Sequence, residues 1–147
     1  MPFINTKYSQ KITPEQETEL KTALGSAVSI LGKTESWLML GFEQECSLYF
    51  RGEKSEKIAF VDVSLYGPAS PASCDKMTAE ICRIYTDVLG VPADKIYVKY
   101  APTDCWGWNG VILISKTEQY LYVGHRSIYQ RRELSQTPRK IKHPRDM

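Results

Sequence analysis

Few side chains in this sequence can do chemistry, and where they stand narrows the options. The two histidines, His125 and His143, both lie near the C-terminus. The main body therefore lacks the imidazoles that a histidine-built metal site or a Ser-His-Asp triad requires. The four cysteines, Cys46, Cys74, Cys82 and Cys105, show no C-x-x-C spacing, so neither a zinc ribbon nor a thioredoxin-type redox pair is written here. Reduced, buried thiols are expected instead, with no metal and no cofactor. The catalytic options narrow without being settled, and one group whose chemistry can be argued is the amine at the chain start. Pro2 follows Met1, and once Met1 is removed its nitrogen is a secondary amine held rigidly by the ring. Burial among apolar groups and a nearby cation both lower the pKa of such an amine by disfavouring its protonated form. That is how a base working near neutrality is made. With Met1 retained, Pro2 has an amide nitrogen and no basicity, and a proline at the second position is otherwise simply a small residue that permits removal of Met1.

A chain-end amine acts only where regular elements hold it, and the sequence writes one such unit twice. Between Thr13 and Gly32 a helix start and stop are present, with Thr13 as N-cap, Pro14 at the first helical position, Gln16 completing a capping box and Gly32 at the end. Leu20, Leu24, Ala27, Val28 and Leu31 fall on one face of that helix. The same signals recur with Ser70 as cap, Pro71 opening, Cys74, Met77, Ile81, Ile84 and Val88 as the apolar stripe, and Leu89-Gly90 answering Leu31-Gly32. Strands flank both helices in the same order: Phe3–Thr6 before the first and Trp37–Phe42 after it, then Phe60–Tyr66 before the second and Lys95–Tyr100 after it. Two βαβ units predict one four-stranded mixed sheet with both helices on the same face. The other face is left bare although its strands carry apolar residues, which predicts self-association. Cys46–Phe50 is a candidate extra strand, and Trp106–Asn109 with Val111–Leu113 another.

The 147 residues, 42% hydrophobic and 24% charged, allow one domain with a real core. No apolar run approaches a membrane span and no secretory signal opens the chain, so a cytoplasmic product is expected. The net charge of +2 hides an asymmetry. Residues 1–113 hold 11 Lys/Arg against 14 Asp/Glu, whereas residues 114–147 hold 8 against 3. The segment 114–147 thus reads as a basic C-terminal extension to the body at 1–113. A solvated, disordered extension is the simpler reading; attachment to nucleic acid or anionic lipid is the alternative, for which the sequence holds no strong evidence. Tyr120–Val123 inside it has strand-like character.

The sequence resembles the macrophage migration inhibitory factor and D-dopachrome tautomerase family, within the tautomerase superfamily whose members use an N-terminal proline. The resemblance rests on Met1-Pro2-Phe3, Ile30-Leu31-Gly32-Lys33, Ser64-Leu65-Tyr66-Gly67, Pro92–Val98 and Trp106-Gly107-Trp108-Asn109, and it covers residues 1–113. It implies an α+β fold assembled as a homotrimer with sites between subunits. It also implies cofactor-free keto–enol tautomerisation of aryl pyruvates, such as phenylpyruvate, and dopachrome-like compounds. In that scheme Pro2 is the general base or acid, Lys33 holds the anion of a small aromatic 2-oxo acid and tunes the amine, and Tyr97 of an adjacent subunit orients the substrate. Ser64, Leu65 and Tyr66 contribute backbone N–H groups, and Trp37, Trp106 and Trp108 form apolar walls. Lys33 is also what complements a helix C-terminus, Tyr97 fits as one more strand aromatic, and Trp106 and Trp108 fit equally as subunit contacts.

Departures from the family pattern matter as much. The third strand reads Phe60-Val61-Asp62-Val63 where the mammalian protein has a C-x-x-C, which removes support for a thiol–disulfide role. Lys99 stands in place of an asparagine and adds a cation near the inferred pocket. Asp62, in an apolar strand, fits either a paired buried carboxylate or a solvent-facing one. The resemblance also admits a second function, a cytokine-like signalling or binding protein that engages a receptor or host protein through the trimer surface after export by a non-standard route.

Overall fold

The helix signals are realised in side-chain contacts. The computed structural model describes residues 1–113; Tyr120–Val123 and the basic extension lie outside the described residues. Thr13 Oγ1 accepts a hydrogen bond from Gln16 N at 3.1 Å, and Gln16 Oε1 accepts one from Thr13 N at 3.0 Å. This capping box opens helix α1 (Pro14–Ala27). The α geometry stops before the expected Gly32, because residues Val28–Leu31 tighten into a 3-10 turn, and Gly32 then ends it with a left-handed φ of 71°. The second helix, α2 (Pro71–Leu89), is capped by Ser70 Oγ, which accepts from Ser73 N at 3.1 Å, and it closes on Gly90 at φ 73°.

The sheet consists of β1 (Pro2–Tyr8), β2 (Met39–Glu43), β3 (Ala59–Tyr66) and β4 (Ile96–Thr103), in the order β2-β1-β3-β4. Strand β1 runs parallel to β2, with Phe3 opposite Met39, and antiparallel to β3, with Pro2 opposite Leu65. The mixed sheet expected from the doubled unit is therefore present. Trp37 is not in the second strand as expected: Glu35–Trp37 forms a 3-10 turn, and pairing begins at Met39.

Burial alternates along β1 and β3 with the pleat. Ile4, Thr6 and Tyr8 with Val61, Val63 and Leu65 join Leu20, Leu24, Met77, Ile81 and Ile84 in one core. Tyr85, absent from the expected stripe, is fully buried there, and its hydroxyl meets Thr6 Oγ1. Cys74 and Val88 from that stripe are only half-buried. The opposite sheet face presents Phe3, Asn5, Phe60, Asp62 and Ser64, all partly exposed.

The expected strand at Cys46–Phe50 does not form; a turn at Phe50–Glu53 replaces it, closed by Phe50 N to Glu53 O at 2.8 Å and the reciprocal bond at 3.1 Å. The Trp-rich segment is a hairpin rather than a single strand. Its strands β5 (Trp106–Trp108) and β6 (Val111–Leu113) join through Asn109 and Gly110, both left-handed at φ 51° and 77°. It belongs to a second compact unit that begins at Thr103.

Candidate active site

One end of the β1–β3 pair brings together the chain terminus, Lys33 and the end of β3. Tyr66 N donates to Met1 O at 3.1 Å, and Lys33 Nζ donates to Tyr66 O at 2.7 Å. Lys33 reaches this point because the Gly32 turn redirects the chain, with Lys33 N bonded back to Val28 O at 3.3 Å. Gly67, at φ +91°, follows Tyr66, and a Cβ there would stand 3.5 Å from the Lys33 ammonium. A side chain at that position would be strained and would crowd the cation.

The terminal amine lies in the environment that lowers an amine pKa. Burial depresses it below its ordinary value of 8.0, and the Lys33 charge depresses it further. Removal of Met1 transfers the amine to Pro2, which is buried opposite Leu65. The same step deletes the Met1 carbonyl, to which the Tyr66 N–H donates. A base, a cation and an N–H donor then converge on one point, an arrangement suited to moving a proton next to a bound carboxylate or carbonyl.

The other candidate residues divide by position. Leu65 has a fully buried side chain, so only its backbone faces a ligand, while Ser64 and Tyr66 are half-buried. Trp37, 48% exposed, ends the 3-10 turn after Lys33. Tyr97 is not brought to Pro2 within one chain. Its ring is edge-on to Phe50, with centroids 5.5 Å apart, and Lys95 Nζ meets Ser55 Oγ at 2.9 Å. The start of β4 therefore stands with the 44–58 loop. That loop meets the far end of β1 through Cys46 N to Tyr8 O at 2.9 Å and Ser9 N to Ile58 O at 3.1 Å. The length of β1, roughly 20 Å, separates that end from Pro2.

Lys99 does not stand as a free second cation. Its Nζ lies 3.5 Å from Asp62 Oδ2, on the strand next to its own. Asp62 is thus half-exposed and paired through one oxygen, while its Oδ1 is buried without a hydrogen-bond partner among the described residues. Trp106 is partly buried and Trp108 45% exposed on the hairpin of the second unit. The sequence pattern did not disclose the contact of Phe50 with Tyr97, or that of Arg51 with Phe50, because Phe50 reads as the end of a strand. The available signal was Arg51-Gly52, a dipeptide followed by Glu53 in a polar stretch.

The family model for macrophage migration inhibitory factor matches residues 1–114. Among solved structures, MIF2 of Leishmania major is 32% identical with a TM-score of 0.72, covering 77% of this chain and 97% of its own. A macrophage migration inhibitory factor homologue from Prochlorococcus marinus is 26% identical with a TM-score of 0.68, over 76% of this chain and 98% of its own. The Toxoplasma gondii protein, at 24% identity and a TM-score of 0.69 over 76% and 99%, shares the fold. A comparison with curated protein sequences gave no match. The chain belongs to the macrophage migration inhibitory factor family of the tautomerase superfamily.

Proposed function

We propose that this protein is a cofactor-free keto–enol tautomerase of aryl pyruvates and dopachrome-like compounds, working as a homotrimer with Pro2 as its proton carrier. Membership of the tautomerase superfamily supports isomerase activity in general. The observation that carries the finer reading is the meeting of a depressed terminal amine, the Lys33 ammonium and the Tyr66 N–H at the end of β3. With Met1 removed, the neutral Pro2 nitrogen takes the enol proton and returns it to the adjacent carbon. Burial and the Lys33 charge, which lower the pKa of the terminal amine, favour the neutral form of that nitrogen, and the ring holds its lone pair in one direction. Lys33 and the Tyr66 N–H hold the carboxylate and the carbonyl oxygen, whose negative charge grows as the proton moves. Tyr97 of a neighbouring copy orients the aromatic ring, and Ser64 and Trp37 border the site.

Pro2→Gly tests the assignment, because it keeps a terminal amine but loses the rigid secondary one. Turnover of phenylpyruvate enol falls by about tenfold or more, in the range typical of a lost general base, while the melting temperature holds. Equal turnover would remove Pro2 from the mechanism.

A further inference from the structure

The cation expected beside Tyr97 was Lys99, and its charge is taken up by Asp62 at 3.5 Å. Another cation occupies that neighbourhood. Arg51 places its guanidinium carbon 5.2 Å from the centroid of the Phe50 ring, and Phe50 is edge-on to Tyr97 at 5.5 Å with a 70° interplanar angle. Phe50 thus touches both residues, Arg51 over its face and Tyr97 at an edge.

The backbone fixes where that charge sits. Arg51 at φ 53° and Gly52 at φ 78° are the two central residues of the turn closed by the paired Phe50–Glu53 bonds. Asn, Asp and Gly are favoured where both central residues are left-handed, and arginine carries a steric cost there. A residue that breaks the local rule without packing into the core is expected where function retains it.

Charge balance points the same way. Among the described residues no acidic group pairs with Arg51, Glu53 of its own turn included. Lys99, by contrast, is paired with Asp62, and Arg83 with Glu80 and Asp87. Tyr97 itself is 60% exposed. A planar guanidinium lying on the Phe50 ring, whose other contact is the exposed Tyr97 ring, matches a ligand that ends in a carboxylate on an aryl ring.

We propose that Arg51 is a specificity-determining residue that selects aryl 2-oxo acids carrying a second negative group on the ring, remote from the 2-oxo carboxylate. This rests on the reading that Tyr97 serves the Pro2 site of a neighbouring copy. Arg51 enters that site with Tyr97, so that Lys33 meets one end of a dianionic substrate and Arg51 the other.

Binding, rather than turnover, isolates the claim. Full-length protein is titrated calorimetrically at low salt with cinnamate and with 4-carboxycinnamate, unreactive probes that differ by one ring carboxylate. Wild type binds the dianion about fivefold more tightly, the scale of one half-solvated guanidinium–carboxylate pair. Arg51→Asn, which suits the left-handed backbone and leaves the melting temperature unchanged or higher, brings the two probes within about twofold, while Arg51→Lys retains part of the preference. A wild-type protein without preference, or a preference that survives Arg51→Asn, overturns the proposal even if phenylpyruvate is turned over normally. A preference abolished by Arg51→Asn in a protein that turns over no enol upholds the anion site and rejects the tautomerase reading instead.

Discussion

Lys33 carries two consequences that a single substitution separates. Its charge helps hold the terminal amine below its ordinary pKa, so Lys33→Ala raises that pKa. In the proposed mechanism the neutral amine is the active form, so kcat/KM is expected to rise with pH as the amine loses its proton. In Lys33→Ala that rise moves to higher pH, and KM for a carboxylate substrate increases as well; a pH profile superimposable on wild type would show that the cation does not reach the amine. Lys33→Ala also leaves the Tyr66 carbonyl without its 2.7 Å donor, so a melting temperature measured alongside separates electrostatics from local loosening. The meeting of Lys33 with the chain start was legible in the sequence because each stands in a local motif, one opening the chain and one just after a helix stop. The Asp62–Lys99 pair was not, since only the placing of β4 beside β3 brings these residues together.

At the level of elements, caps and buried phenols make separate predictions. Thr13→Ala removes the acceptor for Gln16 N and is expected to cost about 1 kcal/mol in denaturant unfolding. Burial raises the pKa values of Tyr8, Tyr85 and Tyr100 above the ordinary 10.0. In the unfolded chain these phenols ionise near pH 10 while the folded state keeps its protons. The unfolded state therefore binds fewer protons, and stability present below pH 10 is lost as pH rises past it. Tyr85→Phe weakens that alkaline dependence in pH-resolved melting. It also leaves the fully buried Thr6 hydroxyl without its partner, which costs roughly 1–3 kcal/mol near neutrality. Both helices were legible because capping box, proline and terminal glycine agree within a few residues. Trp37 and Cys46–Phe50 misled, because β-favouring residues in a short run resemble a strand even where the backbone turns. Tyr85 escaped the apolar stripe because a phenol is placed in a core only when a partner such as Thr6 is supplied from elsewhere in the chain.

For the whole molecule, a single chain holds Pro2 and Tyr97 at opposite ends of the sheet, so a site that uses both draws Tyr97 from another copy. Subunit mixing detects this. Pro2→Gly and Tyr97→Phe proteins, each impaired alone, regain activity when unfolded and refolded together, with about a quarter of the sites intact in random cyclic assembly. No gain over the separate proteins would place Tyr97 outside the shared site. The partly exposed second sheet face was legible from the doubled unit, whereas any positions that would meet across copies depend on three-dimensional closure that periodicity does not encode. The central claim is that a depressed Pro2 amine carries the proton. The most direct measurement is the rate of phenylpyruvate enol-to-keto conversion against pH, on full-length protein whose start at Pro2 has been established by intact mass. The account predicts a kcat/KM that rises with pH and levels off below pH 8, the ordinary range of a terminal amine. A rate that is absent from correctly processed protein, or that rises only at or above that range, would contradict it.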